Sequence, residues 1–140
     1  MQIDQIAKHL PALVCAVFVA ILFIQSGLDK VFDWKGNLGW LTGHFSKTAL
    51  AKLVPIMLAI ITVMELATGV FAAAGVLYFV TVGSTVLIFM ASILGAVSLT
   101  ALFFGQRVAK DYPGAAVLVP YFLLSIVMMY LSNPFAGPGV

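Results

Sequence analysis

The residue with the clearest capacity for chemistry is Glu65, a carboxylic acid inside a long apolar segment. Residues Leu53 to Leu77 carry no other charge. A carboxylate held in membrane hydrocarbon costs about 2.5–3.5 kcal/mol on insertion scales, so it needs a proton or a hydrogen-bonding partner. Three roles are open to it: a hydrogen-bond anchor between helices, a polar contact for a bound quinone or lipid headgroup, and a step in proton transfer.

Polar side chains on two other apolar segments could meet this carboxyl group. They are Gln25, Ser26, Lys30, Ser92, Ser98 and Thr100. Lys30 lies about 11 residues beyond the middle of the first segment, or roughly 16 Å along a helix axis. We therefore expect Lys30 to reach Glu65 only if its long side chain points inward, or if water enters the protein from that end.

Small residues at helical spacing predict where helices pack closely. Gly69 and Ala73 follow Glu65 on one face of the second segment, and Ala91 and Gly95 repeat the spacing on the third. Small residues four positions apart let two helices approach closely within a membrane. The predicted packing positions are Gly27, Gly69, Ala73, Ala91 and Gly95. Glu65 is therefore expected to face protein and not lipid.

Composition determines the class of protein that must position these residues. Of the 140 residues, 63% are hydrophobic and 9% are charged, whereas soluble domains carry roughly 25% charged residues. This balance excludes a soluble enzyme or a nucleic-acid-binding domain. We predict an all-α, integral membrane four-helix bundle with up-down topology, formed by residues 1–140 as one domain. The predicted helices are about 10–28, 53–77, 82–104 and 114–132, with a turn between Gly75 and Gly83.

Charge asymmetry predicts how the helices are oriented in the membrane. The first and third loops contain Lys30, Lys35, Lys47, Lys52, Arg107 and Lys110, whereas the termini and the second loop offer only Lys8. Cytoplasmic loops carry an excess of lysine and arginine. We therefore expect loops one and three to lie in the cytoplasm and both termini to lie outside.

The first loop is too apolar to be a simple linker. Trp34, Trp40 and Phe45 predict an amphipathic interfacial segment over about 34–45, although its glycines weaken a regular helix. These aromatic residues are interpreted as anchors at the membrane surface. The alternative is that the segment caps a binding site between the helices.

The sequence offers no cofactor site of its own. The single cysteine, Cys15, excludes an intrachain disulfide, and the two histidines, His9 and His44, are not placed inside helices as membrane haem b requires. No metal site is predicted. If the chain takes part in redox chemistry, we expect it to borrow the cofactor from a partner. A molecule bound by the chain itself would be a quinone or a lipid.

Two short motifs resemble the DoxX family of small four-helix membrane proteins. Gly27-Leu-Asp-Lys30 resembles the family's G-x-x-K signature, and Glu65 to Gly75 resembles its E-x-x-x-G-x-x-x-x-x-G second helix; the terminal Gly137-Pro-Gly139 is also similar. Members of this family are linked to a terminal quinol oxidase and to thiosulfate:quinone oxidoreductase. The resemblance implies a bacterial inner-membrane protein in which Gly27, Lys30, Glu65 and Gly69 are the positions of interest.

The resemblance predicts a non-catalytic accessory subunit of a quinone-linked respiratory or redox complex. Its expected partners are membrane lipids and other membrane protein subunits, with no nucleic acid. One alternative is a subunit that binds quinone directly, with Glu65 and Gln25 bonding the ring oxygens. The other is a free-standing membrane protein that binds or transports a small molecule or lipid.

Overall fold

The computed structural model describes residues 3–136. Within them, the chain forms helices and no strand: α1 (Ile3–Lys8), α2 (Leu10–Phe32), α3 (Trp34–His44), a short 3-10 turn (Ala51–Leu53), α4 (Val54–Val82), α5 (Val86–Val108) and α6 (Tyr112–Ser132). Helices α2, α4, α5 and α6 are long and apolar enough to cross a membrane. The predicted all-α four-helix membrane bundle is confirmed. Gly137 to Gly139 lie outside the described residues.

The four long helices pack in chain order. Helix α2 packs on α4, α4 on α5 and α5 on α6, with a smaller contact between α6 and α2. Their shared core contains Val19 and Phe23 from α2, Phe79 from α4, Ile88 from α5 and Met128 from α6. Many large apolar side chains of the four long helices are exposed on the outside of the bundle, as expected for helices that contact lipid.

Glycines let α4 approach both neighbouring helices at backbone distance. A Cβ atom on Gly69 would lie 2.8 Å from the backbone nitrogen of Ile24 in α2, and one on Gly75 would lie 2.8 Å from that of Ile88 in α5. Real side chains do not fit at such distances. These two glycines therefore fix how closely the helices pack.

The helices extend beyond their predicted ends. The expected ends near residues 28, 77 and 104 were too early, because α2, α4 and α5 continue to Phe32, Val82 and Val108. The expected turn is confined to Gly83–Thr85, where Gly83 has φ 85° and ends α4. Gly75 does not begin this turn, because it lies inside α4 where α5 crosses. The glycines of the 34–45 segment do not prevent helix α3.

The described charges concentrate at one end of the bundle. The C-terminal ends of α2 and α5 meet the N-terminal ends of α4 and α6 there, together with α3. We call this the basic end, because it carries Lys30, Lys35, Lys47, Lys52, Arg107 and Lys110. At the opposite end, the ring of His9 lies 5.0 Å from that of Phe79, so the start of α2 meets the end of α4.

Candidate functional site

A buried ion pair joins α2 to α4 near the basic end. Lys30 Nζ donates to Glu65 Oε2 at 3.1 Å and to Ser26 Oγ at 3.0 Å. The side chain of Glu65 is 2% exposed and that of Lys30 is 17% exposed. Lysines near the ends of membrane helices usually extend toward water. Lys30 instead points inward, which gives the buried carboxyl group a charged hydrogen-bond donor.

Close packing of α2 on α4 explains why this lysine reaches the carboxyl group. A Cβ atom on Gly27 would lie 2.6 Å from the side chain of Leu66, the residue after Glu65. One turn earlier on α2, Ile24 lies against Gly69. Both contacts lie within four residues of Glu65 on its C-terminal side along α4, and Ser26 lies one turn before Lys30 on α2. The glycines thus hold the helices close enough for the pair to form.

A cavity of about 440 Å³ lies beside Lys30. This volume is within the range of roughly 300–1,000 Å³ that is typical of small-molecule sites. Its walls are mostly apolar, and its polar members are Lys30, Asn37 and Gln106. The apolar walls include Met57, Ile60, Ile61 and Met64 from α4, Ala101, Leu102 and Phe104 from α5, and Leu118 from α6. Lys30 lines this space, whereas its ion-pair partner Glu65 does not.

Helix α3 forms the wall of the cavity at the basic end. Asn37, Trp40, Leu41 and Phe45 line the space. Phe45 is buried with its ring against Gly105 of α5. Its prediction as a membrane-surface anchor is therefore wrong, because the glycine leaves room for the ring inside the protein. Trp34 is half-buried and Trp40 is largely exposed.

Polar side-chain contacts join the end of α3 to the α5–α6 connection. His44 Nε2 forms a hydrogen bond of 2.7 Å with Gln106 Oε1, and it lies 3.7 Å from Asp111 Oδ2. The ring of Trp40 stacks on that of His44 at 4.4 Å. Asp111 also caps α6 by accepting from the Gly114 backbone nitrogen at 3.0 Å. These contacts therefore hold the end of α3 beside Gln106, which lines the cavity.

Sequence reasoning missed Asn37 and Gln106 as cavity residues and gave His44 no structural role. Asn37 lies within α3, His44 ends this helix and Gln106 lies in the last turn of α5, and no motif or spacing marks any of them. Only the fact that α3 folds back over α5 brings these residues together. No pattern in the sequence alone could have identified them.

Several predicted partners of Glu65 lie elsewhere. Gln25 is exposed on α2 and does not line the cavity, so the structure does not bring Gln25 and Glu65 together around one ligand. The hydroxyl groups of three candidates instead donate to carbonyl groups of their own helix; these residues are Ser92, Ser98 and Thr100. The predicted packing positions Gly27, Gly69, Ala91 and Gly95 are buried, and Ala73 is half-buried.

The site can bind an oxygen-bearing molecule. The Lys30 ammonium offers a strong hydrogen-bond donor inside apolar walls, and Glu65 balances its charge. Within residues 3–136, no group of three or more His, Cys, Asp or Glu side chains could hold a metal ion.

Comparison of the chain with models of known protein families, with curated proteins and with solved structures gave no match. The resemblance to the DoxX family therefore stays a prediction.

Proposed function

We propose that this chain is a DoxX-like membrane protein that binds an isoprenoid quinone in the cavity beside Lys30. The observation that carries the proposal is that Lys30, whose ammonium is held by Ser26 and Glu65, lines a mostly apolar space of about 440 Å³. A quinone ring is apolar over most of its surface and accepts hydrogen bonds at its carbonyl oxygens. The cavity offers the complementary arrangement, an apolar wall with few placed polar groups.

The charge balance of the site also favours a neutral headgroup. A cationic ligand would be repelled by Lys30, and an anionic one would lie close to the buried carboxylate of Glu65 in a medium of low dielectric constant. A carbonyl oxygen can accept from the ammonium without adding a net charge, in place of the Ser26 backbone carbonyl that accepts from Lys30 Nζ at 3.4 Å. In this role, Lys30 is the binding residue, and Ser26 and Glu65 are positioning residues that hold its ammonium toward the cavity.

The location and partners belong to the same proposal. The basic end carries six of the seven Lys and Arg residues, which supports a bacterial inner-membrane protein with that end in the cytoplasm and both termini outside. We propose that the chain serves as a subunit of a quinone-linked redox complex. After mild solubilisation of native membranes, it should migrate on a native gel with cofactor-bearing subunits. Migration alone would overturn the subunit role and leave quinone binding to be decided separately.

Tryptophan fluorescence tests the binding proposal directly. The chain has two tryptophans, so Trp34→Phe leaves Trp40, on the cavity wall, as the sole reporter. In lipid nanodiscs, decylubiquinone should quench this fluorescence saturably. The double variant Lys30→Met/Glu65→Gln removes the donor without leaving an unpaired buried charge. It should weaken binding by about tenfold or more, the value of one charge-assisted hydrogen bond.

Lys35→Met is the matched control, because Lys35 is an exposed lysine of α3 that does not line the cavity. It should leave the decylubiquinone affinity unchanged. Quenching that never saturates, or that is equal in the double variant and the control, would refute quinone binding at Lys30. Displacement of decylubiquinone by dioleoylglycerol at equal mole fraction would instead assign the cavity to a neutral lipid.

A further inference from the structure

The mouth of the cavity lies on the lipid-facing side of the bundle. Two residues that line the cavity, Ile60 of α4 and Phe104 of α5, are 54% and 61% exposed. Ala101, which lines the cavity as well, is also exposed. These residues belong to membrane-spanning helices, so their outer surfaces contact lipid and not water. The cavity therefore communicates with the bilayer between α4 and α5.

A shallow groove continues from this mouth along α5. It is lined by Ala96, Val97, Thr100, Ala101 and Phe104, and the last two also line the cavity. Positions 97, 100, 101 and 104 follow the helical spacing that places side chains on one stripe. The single polar group, the Thr100 hydroxyl, donates to the Ala96 carbonyl at 2.7 Å. The groove thus presents an apolar surface that is continuous with the cavity.

The groove runs along the axis of α5. Phe104 lies four residues before the end of α5 at Val108, near the basic end, whereas Ala96 lies close to the middle of the helix. The groove is roughly 12 Å long at 1.5 Å per residue. A hydrocarbon tail that follows it would therefore lie along α5, on the surface of the helix that faces lipid.

Helix α3 covers the cavity at the basic end. Phe45 is buried against Gly105 at this boundary, and His44 is joined to Gln106, whereas Trp40 of the same wall is 60% exposed. A ligand that passes between α3 and α5 would have to break the contacts of Phe45 and His44. One that arrives from the bilayer reaches the cavity between Ile60 and Phe104.

From this geometry, we propose that the cavity takes its ligand sideways from the bilayer, and that the ligand's hydrocarbon tail lies in the groove along α5. The inference rests on the proposed quinone binding and adds the tail site and the route. The ligand class is a neutral, oxygen-bearing headgroup attached to a hydrocarbon tail. Thr100 is the position at which tail binding can be changed without touching the headgroup cavity, because it lines the groove only.

The test compares two probes that differ in their tails. Decylubiquinone carries a hydrocarbon tail, and its dimethoxy-methyl-benzoquinone headgroup alone carries none. In the Trp34→Phe background in nanodiscs, Thr100→Phe fills the groove. We expect it to weaken decylubiquinone binding by about fivefold, since the tail exchanges packed contacts in the groove for contacts with lipid, and to leave the tailless headgroup within about twofold.

Thr81→Phe is the matched control. Thr81 is an exposed threonine on spanning helix α4 whose hydroxyl also donates to a carbonyl of its own helix, that of Leu77 at 2.9 Å. It should change the affinity of neither probe. Equal weakening of both probes by Thr100→Phe, or no effect on either, would refute the tail groove while quinone binding stands. Failure of both probes to saturate in the parent protein would refute the proposed function and the groove together.

Discussion

The two ends of the bundle differ in how α4 meets α5: small residues bring these helices into contact at the end opposite the basic end, whereas a cavity lies between them at the basic end. Near the opposite end, Gly75 lies against the backbone of Ile88, and Gly83 ends α4 in a left-handed conformation. Thr85 Oγ1 donates to the Ser132 carbonyl at 2.7 Å, which ties the start of α5 to the end of α6. At the basic end, the contact of α2 with α4 at Gly27 is equally close, but α4 and α5 both line the cavity.

This contrast distinguishes the apolar contacts that stabilise the protein from the ion pair and cavity that form the candidate site. A buried ion pair loses hydration free energy that its attraction only partly offsets, and apolar packing of the same volume is often as stable or more so. An unfilled space also loses dispersion contacts. The arrangement around Lys30 and Glu65 is therefore a poor way to stabilise a helix bundle. Its retention fits the proposed binding role, while the contacts at Gly75 and along the core hold the bundle together.

The largest expected effect comes from breaking the ion pair on one side. Lys30→Met leaves the carboxyl group of Glu65 buried without its charged donor. We expect a loss of about 3–5 kcal/mol in the free energy of unfolding, the usual cost of removing one partner of a buried pair. Unfolding in mixed detergent micelles, followed by circular dichroism, measures this loss.

The double variant Lys30→Met/Glu65→Gln sharpens the result. If the pair contributes to binding and adds little net stability, the double variant should regain most of the lost stability. Lys35→Met should unfold like the parent protein. A Lys30→Met variant as stable as Lys35→Met would mean that the pair is not the buried, dehydrated interaction described above.

A smaller effect is expected from the packed half of the bundle. In Gly75→Ala, the added Cβ would lie 2.8 Å from the backbone nitrogen of Ile88, so α4 and α5 must move apart. We expect a loss of about 1–3 kcal/mol, typical of overpacking in a tight core. The same micelle unfolding assay applies, and quinone quenching should be nearly unchanged because Gly75 does not line the cavity.

The smallest effect should have the opposite sign. A Cβ atom on Gly39 would meet nothing within 4 Å, so Gly39→Ala in α3 should stabilise that helix by up to about 1 kcal/mol. Hydrogen–deuterium exchange of the α3 backbone amides should slow. This variant is the matched glycine-to-alanine control for Gly75→Ala. If both variants lost stability equally, the two ends of the bundle would not differ in packing as the structure describes.

The fold class could be read from the sequence because membrane insertion depends on local composition. The uncharged stretch between Lys8 and Asp29, for example, marks one apolar segment. Inside lipid, such a segment forms a helix because a helix satisfies the hydrogen bonds of its own backbone. The exact ends of the helices were harder to predict from the sequence. The turn before α5 depends on which of several glycines is used for packing, and Gly75 is used in that way while Gly83 ends the helix.

The sequence alone identified Glu65 as the residue that needs a partner. Its position in an apolar segment implies a free-energy cost for placing a carboxylate in membrane hydrocarbon. Only the tertiary structure decided which partner it has. The choice of Lys30 over Gln25 depends on how α2 is rotated about its axis and how near it lies to α4, and contacts such as Gly27 with Leu66 set both. Likewise, Gln106 joins the site only because α3 folds over α5. Such contacts connect residues far apart in the chain, so no local pattern encodes them.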